Sequence, residues 1–406
     1  MYSVIAGDTF ELISRKQYGT EQYASNIAQA NPGVSEPLTT GTSLIIPVKP
    51  DKVENISQTT LSVSPDEVAI LINGKRFRFW SNIKLTRSID KIDTLDISAP
   101  FEPDLDSFKE TFRPFSFQTV AITVGGIPLF KGTMISVIPS MGDSKTIQVS
   151  AYATPGVLND CTAPASAYPL EYNKQNLQTI TNTILKPFGI KAVFEVSSGA
   201  VFERVAIDPG QKILDFLSDL ARQRNLVISS TERGELLFRK SVEVGIPVAI
   251  LRQGQSPVLS VSPSFNPQEY YSHITGIGPV IVGLSGEVYT VKNKKLTNIL
   301  RPFTFQAQDT ESGTLQDAVR AKAGRMFGNM VSYKVSLNTW RDPKGNLWTP
   351  NTLVNLQSDN AMIYKPYNFV IRSVEFSKDE NSQTAVLDLV IPGSFSGTIP
   401  KELPWD

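Results

Sequence analysis

From about residue 66 the chain alternates apolar and polar positions in short runs broken by Gly, Asn and Pro, the pattern of antiparallel strands with one buried face. Val68–Ile72, Asn73-Gly74 and Lys75–Trp80 form the clearest unit. An Asn-Gly pair between two such runs is the strongest short-range hairpin signal, because both residues accept the positive φ of a two-residue turn. Ile83–Ser88, Thr94–Ser98, Val120–Val124, Ile127–Phe130, Met134–Ile138 and Thr146–Ser150 follow as strands, so residues 66–160 are predicted to be all-β. The period then changes. Asn176–Leu185 sets Leu177, Ile180 and Ile184 on one helical face, and Gln211–Arg224 does the same with Ile213, Leu214, Leu217, Leu220 and Ala221. Leu226–Ile228 and Glu235–Phe238 flank a turn at Gly234, which makes residues 161–240 an α+β layer. Strands return over 241–395, at Val248–Leu251, Val258–Val261, His273–Gly276, Val280–Val282, Glu287–Val291, Ser332–Leu337, Leu353–Leu356, Met362–Tyr364, Asn368–Phe376 and Thr384–Val390. One helix is expected near Leu315–Phe327 and an irregular tail over 396–406.

Residues 1–48 read as a separate βααβ unit. Tyr2–Ile5 is a strand, and Asp8 or Thr9 caps a helix that buries Phe10 and Ile13 and ends at Tyr18-Gly19-Thr20. A second helix over Tyr23–Ala30 stops at Asn31-Pro32-Gly33, and Ser43–Ile46 returns as a strand closed by Pro47. So small a unit is marginal by itself. The polar stretch 49–65 reads as a linker. One hexapeptide, Arg113-Pro-Phe-Ser-Phe-Gln118, recurs as Arg301-Pro-Phe-Thr-Phe-Gln306, but the flanks do not align and six residues are too few to carry a duplication.

Composition narrows the function. At roughly 100–200 residues per domain, 406 residues suggest two to four domains. Lys+Arg and Asp+Glu number 39 each, and this zero net charge argues against a dedicated nucleic-acid binder while suiting a surface covered by partners. A single cysteine, Cys161, forbids an intrachain disulfide, and with a single histidine, His273, the usual His/Cys zinc sites are excluded; no cofactor is implied. The N-terminus lacks the basic and apolar regions of a signal peptide, and the apolar runs fall short of the roughly 18 residues of a membrane span.

The sequence carries no recognisable catalytic pattern. Gly393-Ser-Phe-Ser-Gly397 has Phe where a nucleophile elbow needs Ser, and Ser81-x-x-Lys84 lies in a strand-like run. Gly276-Ile-Gly278-Pro279 is neither a dinucleotide fingerprint nor a phosphate loop. Cys161 and His273 have no local signature of a dyad, and no carboxylate pair stands out from the rest. The expectation is a protein that is not an enzyme.

Two resemblances give these readings a direction. Tyr2-x-Val4-x-x-Gly7-Asp8-Thr9, Tyr18-Gly19, Ile27, Ala30-Asn31-Pro32 and Gly41-x-x-Leu44-x-Ile46-Pro47 together resemble a LysM module, with Phe10 where that family usually has Leu. The resemblance implies recognition of N-acetylglucosamine glycans such as peptidoglycan, or docking to another tail protein, through two loops; its candidate residues are Gly7, Asp8, Thr9 and Asn31. Over residues 66–395, Val68–Lys75, Thr86–Ile89, Phe130–Gly132, Leu158–Cys161, Pro209-Gly210 with Leu220–Arg224, and Trp340–Val354 resemble the phage Mu-type tail protein P, the baseplate hub family. Ser150–Ala153 departs where that family often has Gly-Arg-Asp.

The second resemblance implies a mainly β fold with two tube-like β-barrel domains, at 66–160 and 241–395, around the α+β insertion. It implies a homotrimer whose barrels form a ring of six, adapting a six-fold tail tube to a three-fold central spike in a contractile tail. Implied partners are the tail tube protein, the central spike protein and, through LysM, baseplate wedge or other tail proteins. DNA would pass through the channel without specific binding, and the protein would reside in the virion, in the tail baseplate, after assembly in the host cytoplasm. The alternatives are a peptidoglycan-binding tail-tip protein acting through LysM and a LysM-targeted cell-wall hydrolase.

Overall fold

The computed structural model describes residues 2–19, 21–47, 64–102, 104–142, 145–278, 286–306, 315–395 and 402–406. The chain divides into two compact units, Met1–Val63 and Ser64–Asp406.

The first unit runs β1 (Tyr2–Ser3), α1 (Phe10–Tyr18), α2 (Ala24–Ala30) and β2 (Ser43–Leu44), with β1 and β2 antiparallel. Of the two possible caps the structure selects Thr9, whose Oγ1 accepts from the Leu12 amide at 3.2 Å. Gly19, at φ 80°, ends α1 by returning its amide to the Arg15 carbonyl at 3.0 Å. Val4, Phe10, Ile13, Ile27 and Leu44 form the core. Residues 49–63 of the expected linker lie outside the described residues.

The second unit opens with β3 (Val68–Ile72), β4 (Lys75–Phe77), β5 (Asn82–Ser88) and β6 (Thr94–Pro100), then a short helix α3 (Asp106–Thr111), then β7 (Thr119–Val124), β8 (Ile127–Met141) and β9 (Lys145–Ala153). The middle layer holds α4 (Val157–Asp160), β10 (Glu171–Gln175), α5 (Leu177–Leu185), β11 (Ala192–Phe194), β12 (Phe202–Ala206), α6 (Ile213–Gln223), β13 (Val227–Ser230) and β14 (Leu236–Arg239). The remainder is β15 (Ala249–Arg252), β16 (Val258–Phe265), β17 (His273–Ile277), β18 (Val288–Lys292), β19 (Pro302–Gln306), α7 (Leu315–Met330), β20 (Val331–Leu337), β21 (Leu353–Ser358), β22 (Ile363–Asp379) and β23 (Gln383–Val390).

The two β regions are joined in one sheet. Thirteen strands share one ladder in the order β16-β20-β23-β22-β5-β6-β9-β8-β7-β3-β4, with β21 bridging β22 to β15. The join is antiparallel pairing of β22 with β5, from Ser373↔Ser88 to Asp379↔Asn82. A single apolar cluster accordingly spans both regions, from Val68, Ile83 and Val149 to Val354, Phe376 and Leu387. The α+β layer has its own core, in which Leu177, Ile180 and Ile184 of α5 meet Ile213, Leu217 and Leu220 of α6, as the helical spacing predicts. A separate three-stranded sheet, β18-β17-β19, packs on α7.

Two strands are longer than their sequence suggests. Met134–Ile138 and Ile127–Phe130 are one strand, β8, running through Gly132. A Cβ there would stand 2.1 Å from the Tyr152 carbonyl oxygen, so glycine permits the close pairing with β9. Met362–Tyr364 and Asn368–Phe376 likewise join into β22, and Pro366 falls where the register with β21 shifts between Leu356 and Ser358, a position at which a missing amide is tolerated. The echoed hexapeptide adopts two conformations. Pro302–Gln306 of the second copy forms β19, a strand the periodicity did not predict, whereas Phe115 and Phe117 of the first copy take φ 59° and 48° in a loop.

The Trp340–Trp348 segment is a tight hairpin in which Asp342 accepts from the Lys344 and Asn346 amides at 2.8 and 2.9 Å. The two indoles do not stack on each other. Trp340 meets Phe376 edge-on and donates to the Thr384 carbonyl at 2.7 Å, while Trp348 donates to the Thr339 carbonyl at 3.0 Å. Residues 280–282, expected as a strand, and 396–401 of the expected tail lie outside the described residues. The end of the tail, Glu402–Asp406, is irregular yet packed: Leu403 is buried and Trp405 meets Phe265 edge-on.

Trp340→Ala removes a fully buried indole and leaves the Thr384 carbonyl without its donor. Urea unfolding of the full-length protein should show a loss of about 3–5 kcal/mol.

Candidate functional site

In the first unit the four candidate loop residues divide into two pairs. The Asp8 carboxylate points inward, accepting from the Tyr2 hydroxyl at 2.8 Å, the Ile5 amide at 3.0 Å and Lys16 Nζ at 2.6 Å. The Lys16 ammonium, then the Ile5 amide, holds it below the usual carboxylate range. Asn31 is equally committed: Nδ2 donates to the Ile27 and Ile45 carbonyls at 2.7 and 2.8 Å, and Oδ1 accepts from the Ile45 amide at 2.7 Å. These side chains shape the loops. Gly7, exposed at φ 87°, and Thr9, half-buried with its hydroxyl capping α1, are what the first loop turns outward.

In the second unit the densest polar chemistry lies at the tip of the β5–β6 hairpin, where it meets the α+β layer and β22. Asp93, 1% exposed, accepts from the Ser88 amide at 3.1 Å and from Arg87 Nε at 3.2 Å, while its own amide donates to Ser230 Oγ at 3.0 Å. Arg87 reaches on to Glu232 at 3.4 Å. Asp90 on the same tip accepts from Ser88 Oγ at 2.8 Å and pairs with Arg372 of β22 at 2.9 Å. One turn thus ties three parts of the molecule together, through partners up to 284 residues apart. Burial pushes the Asp93 carboxyl up to about 6 against the pull of Arg87, and burial lowers the nearby Arg239 guanidinium. Nothing in the sequence marks this joint, because Ser88–Asp93 has the composition of an ordinary solvated turn.

The protein also presents apolar groups to solvent. Phe115 is 93% exposed and Phe117 62%, on a loop beside the ring cluster of Phe77, Phe79, Phe101, Phe108 and Phe112. Their left-handed backbone is unfavourable for residues other than Gly and Asn, and persists only because the surroundings hold it. Asn73 does so, accepting from the Thr119 amide at 3.0 Å and donating to Gln118 Oε1 at 2.6 Å. Strand β16 pairs only with β20 among the described residues and exposes Leu259 and Phe265, and the far half of β8 exposes Ile135, Ile138 and Met141. Exposed apolar groups on strand edges mark surfaces that partners cover. Cys161 follows α4, whereas His273 begins β17 with its Nδ1 3.0 Å from Ser272 Oγ.

Residues 155–240, which hold the α+β layer, match the family described as baseplate hub protein gp44-like, second domain. Over 320 residues the sequence is 22% identical to the baseplate hub protein gp44 of Escherichia phage Mu, covering 73% of this protein and 80% of that one. The 43 kDa tail protein of prophage MuSo2 from Shewanella oneidensis superposes with a TM-score of 0.69 at 23% identity, over 81% of this protein and 99% of that one. The E. coli c3393 protein is a type VI secretion component noted for its structural similarity to T4 bacteriophage tail proteins gp27 and gp5. It superposes with a TM-score of 0.50 at 13% identity, over 80% of this protein and 76% of that one. The fold is that of phage tail and baseplate proteins, mainly β.

Two outcomes follow from the geometry. Asn31→Ala strands three backbone groups and should destabilise the first unit by about 2–4 kcal/mol, read as faster amide exchange in α1 and α2 of the full-length protein. Asp93 titrates from 3.8 in the unfolded state to about 6 in the folded one. The folded state therefore binds that proton more tightly, and this group's contribution to stability is largest in acid, declines as pH rises between the two values, and is constant above. Relative to Asp93→Asn, the wild type should lose up to about 3 kcal/mol between about pH 4 and pH 7 in urea unfolding. A difference that does not change with pH would show that folding leaves Asp93 titrating as it does in the unfolded chain.

Proposed function

We propose that this protein is a structural baseplate hub protein of a contractile phage tail, a trimer that adapts the six-fold tail tube to the three-fold central spike and leaves a channel for DNA. The observation that carries the reading is agreement of fold over 81% of its length and 99% of a phage tail protein, with the hub-type second domain recognised between the two β regions. The fused ladder supports it mechanically. A ring that passes load from tube to spike needs its two β regions held as one body, and the β5–β22 pairing with the Asp90–Arg372 and Arg87–Asp93 joints supplies that. The edge of β16 left unpaired among the described residues, the exposed apolar groups of β8 and the Phe115 loop offer surfaces for neighbouring subunits and for the tube. The zero net charge suits a channel through which DNA must move without sticking.

The first unit is read as a LysM-type module used for docking to other tail proteins. Commitment of Asp8 and Asn31 to its own loops favours this over glycan recognition, because neither side chain is left to contact a sugar.

Native mass across a concentration range tests the hub reading. The expected species is near three times 44.6 kDa. A monomer at every concentration, alone and with the spike protein added, overturns the ring.

A further inference from the structure

A cleft of about 410 Å³ opens between α6 and α7, lined by Asp219, Arg222, Phe305, Lys322, Arg325 and Met326, with Glu269 and Asn329 at one side. Its charges are unevenly matched. Arg222 pairs with Asp219 at 2.8 Å, and Glu269 accepts from Asn329 Nδ2 at 3.1 Å. Lys322 Nζ lies 5.7 Å from the Phe303 ring centroid. Among the described residues, neither Lys322 nor Arg325 makes a hydrogen bond or an ion pair. Both are half-buried, and partly desolvated cations are costly to leave without a directly paired anion. Burial, then the Arg222 guanidinium, presses Arg325 down to about 10 against the weaker pull of Asp219, and burial with the neighbouring Arg325 charge lowers Lys322 against the weaker pull of Glu269, as expected where three cations share a space with two carboxylates.

We propose that this cleft binds a carboxylate presented by a partner polypeptide, an Asp or Glu side chain or a free C-terminus. Arg325 supplies a planar fork matched to two carboxylate oxygens and Lys322 a second point charge, while Phe305 and Met326 form apolar walls for the methylenes that carry the group. A nucleic-acid backbone fits poorly. Asp219 and Glu269 in the same cleft repel a continuous run of phosphates, and a protein of zero net charge adds no field to overcome that repulsion. The cleft lies within one protomer and does not depend on the trimer, so a failed native-mass experiment leaves it intact.

The test is protection of Lys322. The full-length protein is acetylated with the uncharged reagent N-hydroxysuccinimidyl acetate, and the rate at each lysine is followed by mass spectrometry with rising acetyl-Leu-Glu-Leu-amide. Saturating peptide should slow Lys322 about tenfold, the equivalent of one charge-assisted pair, and leave exposed Lys109 unchanged; acetyl-Leu-Gln-Leu-amide should do nothing. Arg325→Met, checked by thermal unfolding, should abolish the protection while Lys322 still reacts, and Arg325→Lys, which keeps the charge, should retain part of it. Absence of protection in the wild type, equal protection by the glutamine peptide, or protection that survives Arg325→Met overturns the proposal. Protection by inorganic phosphate at lower concentration than by the peptide overturns the polypeptide as its source.

Discussion

Strand β22 is paired along both edges, and that pairing holds the second unit together. One edge meets β23 from Val370 to Lys378; the other meets β21 along its first half and β5 along its second. The strands of the two β regions reach one another through this element, and Val370, Ile371, Val374 and Phe376 are at most 1% exposed. The strand must be long to serve both regions. Its length is possible because the bulges at Leu356/Ser358 and Ile371/Ser373 let it bend and absorb Pro366 without breaking the ladder. Since β5 and β22 are separated by the whole α+β layer in sequence, the contact closes a very long loop. Such an arrangement folds slowly but resists being pulled apart region by region.

The charges at the β5–β6 tip act on the same join by a different physics. Apolar pairing sets where β5 lies along β22 and Asp90 adds an ion pair to Arg372 there, whereas Asp93 fixes how the hairpin meets the α+β layer, because a buried carboxylate tolerates very few geometries. Asp93 alone gains little net stability, since burial works against its ionised form and Arg87 recovers only part of that loss. Its use is positional: it orders the Ser88 amide, Arg87 and Ser230 around a single point. Stability of the unit comes from the shared apolar cluster, and angular precision from this small buried network.

Much of the architecture was legible in the sequence, and the parts that were not share a cause. The Asn73-Gly74 hairpin, the α5 and α6 faces, the Asn31 stop and most strands of the second unit stand where alternation and punctuation put them, because each depends on neighbours a few residues away. Joining Met362–Tyr364 to Asn368–Phe376 across Pro366 could not be read locally, since the shift that tolerates the proline belongs to the pairing with β21. Nor could the pairing of β22 with β5 across the two β regions, because alternation reports a buried face and not the strand that covers it. Asp8 and Asn31 bond to their own loops, and pattern alone does not distinguish a residue that holds a loop in shape from one that touches a ligand.

The hexapeptide that occurs twice isolates this last point. In β19 the sequence Pro302-Phe-Thr-Phe-Gln306 lies in parallel register with His273–Ile277, and its aromatic rings pack toward the small core of the β18-β17-β19 sheet. In the first copy Asn73 ties down Gln118 and Thr119 at the end of the segment. The extended conformation is lost there, and both phenylalanines turn outward from a backbone that ordinary residues avoid. Nearly identical local propensity therefore gives a paired edge strand in one place and an apolar projection in the other, and the difference is the strand available to pair with. Ladder edges, the projecting Phe115 loop and a cleft with unmatched cations are each features that a polypeptide folding only for itself would have buried or neutralised.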